Sequence, residues 1–439
     1  MEMVTASRAV CEHVVWRYVF LFRIYPTRRF SHDVVFIPAL MYLGFGPIET
    51  KAQEYFGVSR ISINSMAVLG TGIPILTYPI SAKVVDKNGI RTCFLCGTTL
   101  VFGGSWIRFL GSGTEVWSYW VFFVGHAIVS MGMAFLNSIP APFSNRFFPV
   151  RERSVATSVA MLAFLVGMAV GQGICSFFEN YISEYVLGQA IVLTLPIPIV
   201  YMTARNHPPG FQKKNEQEQA KESYSLFKEA CKIISRPNVR YMCVAAGFGI
   251  GTFNTILSLI DEVAPPSVHD HTSLLSGACF FAPGMIGTVM LAKYCDVTRK
   301  YLHCAYFCTT VILLNFIVLC YGWHQDISYL IYPSFGLIGF VGLGIIPLCV
   351  ELGIELCYEP GHQIEGAVNA VVQTSINIGS AISLYAFDPG NLGLADRDAI
   401  FMWAAIVGCS LLCMTRIEPD YRRLAFEKSS ASKQQSTVQ

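Results

Sequence analysis

Long apolar segments are the feature that most constrains the fold of this chain. Stretches of about 20 or more residues with few charges recur between residues 34 and 415, and ~20 residues is the length that an α-helix needs to cross hydrocarbon. Backbone amides in a bilayer must be paired within the protein, so a spanning chain is a helical bundle or a closed β-barrel. Barrel strands would alternate over ~10 residues, and these segments do not. The sequence therefore predicts an all-α membrane protein.

Composition excludes several functional classes. The 439 residues are 53% hydrophobic and only 14% charged, whereas an ordinary soluble domain carries about 25% charged residues. The net charge of +2 and the lack of a basic run with interleaved aromatics argue against nucleic-acid binding. No metal-ligand cluster and no nucleophile beside a base is apparent in the sequence, so neither an enzyme nor a cofactor is expected. The expected partners are the lipid bilayer and a small solute, and the expected state is a monomer.

Hydropathy and loop punctuation predict twelve spans in two sets of six. The first set covers residues 34–56, 61–84, 90–111, 117–143, 154–180 and 184–204. The second set covers residues 240–262, 272–295, 301–323, 327–357, 362–386 and 396–415. The polar stretch between them is too hydrophilic to cross a membrane. The predicted organisation is a cytoplasmic N-terminal segment (1–33), a six-helix half (34–204), a cytoplasmic linker (205–239), a second six-helix half (240–415) and a cytoplasmic tail (416–439).

The basic residues predict the topology. If the N-terminus is cytoplasmic, 27 of the 31 lysines and arginines fall in the tails, the linker and the inner loops. The four exceptions are Lys51, Arg60, Arg108 and Arg397. Cytoplasmic loops carry the excess of positive charge in membrane proteins. A multi-pass protein with both termini in the cytoplasm is therefore expected.

Two weak internal repeats indicate how the halves are related. The tripeptide GFG at residues 44–46 recurs at 247–249, and the loop DKNGIR at residues 86–91 has a counterpart in DVTRK at 296–300. Parallel repeats about an axis normal to the membrane are how the major facilitator fold is built, with the solute site between the halves near the midplane. The predicted fold is thus a major facilitator fold of twelve transmembrane helices in two six-helix halves, working by alternating access.

The repeated charged loops are candidates for a gate. Gly89 permits a tight turn, and a carboxylate such as that of Asp86 can pair with basic groups or cap a neighbouring helix N-terminus. Such a contact can hold one face closed in one state and release it in the other. A solvated basic loop is the alternative. The predicted gating residues are Asp86, Arg91, Asp296 and Arg299.

Carboxylates within or near spans are candidates for proton coupling, because a charge in hydrocarbon costs at least ~2.5 kcal/mol unless it is paired or solvated. Glu49 lies late in span 1, and Asp261 has the corresponding place in span 7. Glu351 in span 10 shares a helix face with Glu355. Interfacial positions for the first two and a structural or gating role for Glu351 remain open alternatives. The predicted proton-coupling residues are Glu49, Asp261 and Glu351.

Polar amides and aromatic rings near midspan are candidates for solute contacts. Amides offer oriented hydrogen bonds, and aromatic faces can stack on a flat ring or face a cation. Helix packing is the alternative for each, since interhelical amide bonds are frequent in membrane bundles. The predicted substrate-binding residues are Tyr42, Phe45, Asn137, Phe164, Asn254, Gln373 and Asn377.

Three longer segments carry a family resemblance. They are GPIETKAQEYFGVS (46–59), NSIPAPFSNRFFPVRERSVATSVA (137–160) and IIPLCVELGIELCYEPGHQIEG (345–366). Together with DKNGIR they resemble the solute carrier 49 family of the major facilitator superfamily, which includes the feline leukaemia virus subgroup C receptor-related proteins. The resemblance spans most of the membrane core and implies a transporter of a small organic solute.

Within that family, GPI at 46–48 and APF at 141–143 look closer to the disrupted in renal carcinoma protein 2 branch, which implies a proton-coupled transporter of pyridoxine (vitamin B6) in the lysosome. The receptor-related branch implies choline, ethanolamine or haem instead. Its ligand cage has a tryptophan in span 1 and a glutamine in span 5, where this sequence has Tyr42 and Leu165. We therefore expect a symporter of a pyridoxine-like vitamin. Transport by the receptor-related type and a non-transporting receptor or sensor are the alternatives.

The C-terminal tail bears on the compartment. Tyr421, Arg422, Arg423 and Leu424 have the form of a tyrosine-based sorting signal. Basic residues just after a last helix also commonly lie at the anionic inner leaflet. A lysosomal or a plasma-membrane location is expected.

Overall fold

The computed structural model describes residues 39, 48–148, 152–178, 180–206, 226–269, 275–360, 364–386, 399–426 and 429. The described helices of the N-terminal group are α1 (Glu49–Phe56), α2 (Arg60–Leu110), α3 (Val116–Asn137), α4 (Pro140–Phe147), α5 (Arg153–Phe177), α6 (Ile182–Thr194) and α7 (Pro196–Thr203). Those of the C-terminal group are α8 (Leu226–Ser235), α9 (Pro237–Val263), α10 (Pro266–His269), α11 (Ala282–Thr298), α12 (Tyr301–His324), α13 (Ser328–Gly342), α14 (Ile345–Cys357), α15 (Glu365–Ala386) and α16 (Ala399–Met414).

Several of these helices can cross a membrane. In the described part of the chain, six helical segments are long and apolar enough by length and composition: Ser65–Leu110, Val116–Phe147, Pro237–Ile260, Ala278–Thr298, Tyr301–His324 and Ser328–Cys357. Three shorter apolar helices accompany them, at Arg153–Met168, Ile182–Thr194 and Ile400–Met414. The expectation of an all-helical membrane protein is confirmed.

Helix α2 contains the tight turn expected between spans 2 and 3. Its 51 residues run to Leu110, but Gly89 has φ 86° and ψ 170°, which interrupts the helical path. A side chain is strained at this φ, and a Cβ on Gly89 would also lie 2.5 Å from Oδ1 of Asn206. The predicted spans 61–84 and 90–111 correspond to the two arms of α2. No separate loop joins them, because one glycine makes the turn.

Other predicted spans are interrupted where the hydropathy is continuous. The span expected at 117–143 ends as α3 at Asn137, and Pro140 starts α4. The span expected at 184–204 divides in the same way before Pro196. Proline lacks the N–H that an interior helix position donates and is favoured in the first turn of a helix, which explains why a new helix begins at each proline. The span expected at 327–357 divides between Gly342 and Ile345.

Two further boundaries differ from the sequence prediction. The linker expected to extend to residue 239 becomes helical earlier, because α8 starts at Leu226 and α9 at Pro237. The span expected at 272–295 begins, in its described part, with seven residues of π-helix from Leu275 to Phe281. Of the first predicted span, 34–56, the described part ends at α1, which is followed by Gly57 in the left-handed region with φ 63°.

Small residues let neighbouring helices approach closely. A Cβ on Gly104 of α2 would lie 2.8 Å from the carbonyl oxygen of Gly125 of α3, and one on Gly132 would lie 2.7 Å from that of Gly97. The glycines repeat at seven-residue intervals on both helices, so one face of each remains flat. Close packing of this kind stabilises helix pairs in lipid, where the hydrophobic effect between helices is absent.

The N-terminal and C-terminal groups meet along a shared interface. Helix α15 packs against α9 within its own group and against α2 of the other group, while α11 and α14 pack against α5. One large buried cluster includes residues of both groups, among them Phe94, Leu136, Phe253 and Val368. One end of the bundle carries the Gly89 turn, Asn206 and α8, and we call it the linker end.

Candidate functional site

The carboxylate of Asp296 joins the two helix groups at the linker end. Asp296 lies in the last turn of α11 and is 9% exposed. Its Oδ1 accepts a hydrogen bond from the backbone N–H of Ser154 at 3.3 Å, and its Oδ2 accepts one from Val155 at 3.0 Å. Both donors lie in the first turn of α5, where helix N–H groups lack intrahelical partners and the dipole favours a negative charge. The predicted gating residue Asp296 therefore binds the start of a helix in the opposite group.

Asp86 has the corresponding place with the groups exchanged. It belongs to α2 and lies against Gly366, in the first turn of α15. The approach is so close that a Cβ on Gly366 would come within 2.7 Å of Oδ1 of Asp86. Both predicted aspartates thus lie at the N-terminus of a helix from the other group. This equivalence is the arrangement expected for two related loops.

The two predicted gating arginines are placed differently. The side chain of Arg91 is exposed, and its backbone N–H donates to Oδ1 of Asn206 at 2.8 Å. Arg299 follows α11 in the left-handed region with φ 56°, and its Nη1 donates to the hydroxyl of Tyr301 at 3.1 Å. The bond from Arg91 joins the Gly89 turn to the chain after α7. The bond from Arg299 joins two residues of the C-terminal group.

Glu351, a predicted proton-coupling residue, is buried in the same interface. Its Oε1 accepts a hydrogen bond from the hydroxyl of Thr157 on α5 at 3.0 Å. Its Oε2 lies 3.7 Å from Nη1 of Arg423, and the two side chains are only 5% and 6% exposed. A carboxylate that bonds across the interface in this way contributes to holding the groups together.

The chain after the last helix folds back onto this interface. Nη2 of Arg423 donates to Oδ1 of Asn145 on α4 at 3.1 Å, and Nδ2 of Asn145 donates to Oε1 of Glu365 at 2.5 Å. The backbone N–H of Leu424 donates to Oε2 of Glu355 at 3.2 Å. Arg423 therefore lies inside the protein, and the interpretation that it lies at the inner leaflet is wrong.

We call this set of contacts the linker-end interface, and it consists of Asn145, Ser154, Val155, Thr157, Asp296, Glu351, Glu365 and Arg423. Sequence reasoning missed four of its side chains: those of Asn145, Thr157, Glu365 and Arg423. Asn145, Thr157 and Glu365 lie in the motif segments 137–160 and 345–366, which was the available signal for them. The partners are separated by between 72 and 278 positions, so spacing along the chain could not pair them.

Several predicted solute contacts meet further from the linker end. The hydroxyl of Tyr78 on α2 interacts with the amides of Asn137 and Asn377. The backbone carbonyl of Asn137 accepts a hydrogen bond from Nδ2 of Asn369 at 3.1 Å, and Nδ2 of Asn377 donates to the carbonyl of Gln373 at 2.8 Å. Asn137 and Asn377 are thus brought together across the two groups, with Tyr78 between them, and Gln373 lies one helical turn from Asn377 on α15.

The other predicted solute contacts are dispersed. Nδ2 of Asn254 donates to Oγ of Ser380 at 3.0 Å, which joins α9 to α15 inside the C-terminal group. Phe164 is partly buried against the large apolar cluster. Tyr42 and Phe45 lie outside the described residues, and the side chains of Glu49 and Asp261 are likewise not described.

Two small cavities lie away from the amides. One lies beside the linker-end interface and is lined by Ser154, Ser158, Tyr301 and Glu351 among others. The other lies within the C-terminal group, between α9, α12 and α16. The first adjoins the hydrogen bonds that would have to break if the linker end opened.

A family model and individual relatives both relate this chain to membrane transporters. Residues 34–384 match the Major Facilitator Superfamily. The chain is 24% identical over 380 residues to the choline/ethanolamine transporter FLVCR2 of Homo sapiens, covering 81% of this chain and 71% of the relative. It is 21% identical over 406 residues to the choline/ethanolamine transporter flvcr2b of Danio rerio, covering 87% and 81%. It is 23% identical over 393 residues to the choline/ethanolamine transporter FLVCR1 of Mus musculus, covering 80% and 68%.

Proposed function

Because the chain belongs to the Major Facilitator Superfamily of membrane transporters and is not an enzyme, we propose that it moves a small amino alcohol of the choline or ethanolamine type by alternating access. The substrate class is supported by the names of the relatives, which are choline/ethanolamine transporters. The pyridoxine-like vitamin favoured by the sequence motifs becomes the second candidate.

The linker-end interface is the observation that carries the mechanism. Asp296 on α11 bonds to the N-terminus of α5, and Glu351 on α14 bonds to Thr157 on the same helix. These bonds join the two groups at one end and can be exchanged for water when that end opens. A set of polar contacts that is made in one state and broken in the other is what rocking of two helix bundles requires.

The proposed architecture is twelve transmembrane helices in two six-helix halves, residues 34–204 and 240–415, with both termini cytoplasmic. The equivalent places of Asp86 and Asp296 support two related halves, since each lies at a helix N-terminus of the opposite group. Epitope tags at the two chain ends should both be reached by antibodies only after cells are permeabilised. Access to one tag in intact cells would contradict this topology.

The proposed solute site lies between the groups, around Tyr78, Asn137 and Asn377. Amide and hydroxyl groups there can bond the hydroxyl of an amino alcohol. Tyr42 and Phe45 are proposed to face the ammonium group, since a cation is attracted to an aromatic face. The linker-end interface would then separate this site from one side of the membrane.

A specific residue favours the second candidate. Leu165 occupies the place where the resemblance implies a ligand glutamine, and it is 7% exposed. Its side chain offers no hydrogen bond to a polar headgroup, whereas stacking of Tyr42 on a flat pyridine ring would not need one. For such a vitamin we propose proton coupling through Glu49, Asp261 or Glu351 and a lysosomal location. For an amino alcohol, the plasma membrane is the corresponding proposal.

Uptake of labelled solutes distinguishes these proposals. Cells that display the protein at the surface are given labelled choline, ethanolamine or pyridoxine at acidic and neutral external pH. The amino-alcohol proposal predicts saturable choline or ethanolamine uptake that does not require acid. Acid-stimulated pyridoxine uptake that is lost in Glu49→Gln or Asp261→Asn would establish the second candidate.

A gate variant separates transport from simple binding. Asp296→Ala, expressed at the wild-type surface level, is expected to lose most of the uptake. If none of the three solutes is taken up, labelled haem is tested next. Binding of any solute without uptake would favour a membrane receptor or sensor and contradict the transport proposal.

A further inference from the structure

Arg108 is a buried cation near the end of α2. Its side chain is 1% exposed, and neither Nε nor Nη1 has a hydrogen-bond partner. The guanidinium carbon lies 4.6 Å from the ring centroid of Phe122 on α3, a cation–π contact that offsets part of the desolvation cost. Arginine stays protonated in proteins. A positive charge is therefore held in the apolar interior with two nitrogens whose N–H groups are unbonded.

His126 lies one helical turn from Phe122 on α3 and is an electrostatic neighbour of Arg108. It is also 1% exposed, and neither ring nitrogen makes a hydrogen bond within ordinary limits of distance and angle, although the backbone of Met66 lies near enough to interact with the ring. A neutral imidazole carries one N–H donor. Two side chains from adjacent helices, each more than nine-tenths buried, thus have nitrogens without a well-formed hydrogen bond in the same region.

The described groups near Arg108 do not neutralise it. Its other electrostatic neighbours are Tyr185 on α6 and Cys175 on α5. The hydroxyl of Tyr185 donates to the carbonyl of Gly171 at 3.1 Å, so its proton is already used. In the described part of the chain, no salt bridge joins a carboxylate to Arg108. An uncompensated buried charge is costly, and such charges normally pair with an opposite one.

We propose that Arg108 and His126 form a binding site for a small monovalent anion of the size of chloride. The anion would accept charge-assisted hydrogen bonds from the guanidinium and the imidazole and supply the missing negative charge. A small ion is proposed because the backbones of α2 and α3 are in close contact here: a Cβ on Gly125 would lie 2.6 Å from the backbone nitrogen of Arg108. Its walls are apolar, with Phe109, Phe122 and Val186 in the same cluster.

The site lies within the N-terminal group alone. Its residues come from α2, α3, α5 and α6, and the linker-end interface contains none of them. A bound anion would therefore stabilise the packing of these four helices and not the contacts between the two groups. The site can be tested by stability alone, so a failure would be independent of the proposed transport function.

The test is the thermal unfolding midpoint of the purified full-length protein as chloride replaces gluconate at constant ionic strength. A ligand that binds the folded state raises the midpoint in a saturable way. We expect this for chloride and bromide, and not for the larger divalent sulfate. Arg108→Gln should abolish the dependence. The matched control is Arg240→Gln, an exposed arginine on α9, which should keep it.

A second variant covers the case in which Arg108→Gln does not fold. His126→Leu removes one proposed donor and leaves the charge, so the chloride concentration for the half-maximal shift should rise about tenfold. A wild-type midpoint that does not depend on chloride would overturn the proposal. The proposal would also be overturned if Arg108→Gln and His126→Leu both showed the wild-type shift in unfolding midpoint, at the wild-type chloride concentration for the half-maximal shift.

Discussion

At the scale of single residues, Gly366 tests the contact between Asp86 and the first turn of α15. The first atom of any side chain there would lie 2.7 Å from Oδ1 of Asp86, closer than real contacts allow. Gly366→Ala should therefore displace the carboxylate of Asp86 from the N-terminus of α15 and reduce the uptake rate several-fold. Uptake per molecule at the cell surface is the measurement. Gly103→Ala on α2 is the control, because nothing lies within 4 Å of that Cβ, and wild-type uptake in Gly366→Ala would refute the close contact.

Asp296 allows a graded test at the same scale. Alanine would leave the backbone N–H groups of Ser154 and Val155 without their acceptors, at a cost of about 1–3 kcal/mol for each buried group. Asparagine keeps one carbonyl oxygen as an acceptor. The unfolding midpoint of purified protein should fall in the order wild type, Asp296→Asn, Asp296→Ala. Equal midpoints for asparagine and alanine would show that the carboxylate does not cap α5.

At the scale of elements, the segment after α16 should act as part of the linker-end interface. Arg423→Met leaves Glu351 buried without its cation, and breaking a buried pair costs about 3–5 kcal/mol. We expect a clear loss of thermal stability that is partly recovered in the double variant Arg423→Met, Glu351→Gln. Arg422→Met is the neighbouring control, since its pair with Asp420 is about half exposed and such pairs contribute little. Similar losses for both arginines would argue against a specific role for Arg423.

Element boundaries also show what hydropathy can and cannot give. The apolar runs predict the existence of the helices because burial in lipid depends on local composition. The turn at Gly89 was also predictable from local sequence, because it depends on the φ angle of one glycine. The divisions before Pro140 and Pro196 were missed because both prolines lie in uninterrupted apolar sequence. Proline breaks a helix through its missing N–H and ring, which a hydropathy scale does not measure.

At the scale of the whole molecule, the polar contacts between the two groups were only half predictable. The repeat of charged loops identified Asp86 and Asp296, because each lies at a fixed place in its own loop. Arg423 and Asn145 could not be paired, since 278 positions separate them and only the assembled bundle brings them together. Arg108 had a signal in the sequence as an exception to the distribution of basic residues. That no described carboxylate pairs with it became visible only when the surrounding helices were in place.

The central claim is that the two helix groups alternate around a site for a small amino alcohol. The most direct test is uptake of labelled choline into liposomes that contain the purified protein, with and without unlabelled choline inside. Alternating access predicts saturable uptake that is accelerated by solute on the opposite side, and a strong reduction of both in Asp296→Ala. Uptake that rises linearly with concentration and is independent of internal choline would contradict alternating access. The absence of uptake of choline, ethanolamine and pyridoxine would contradict it as well.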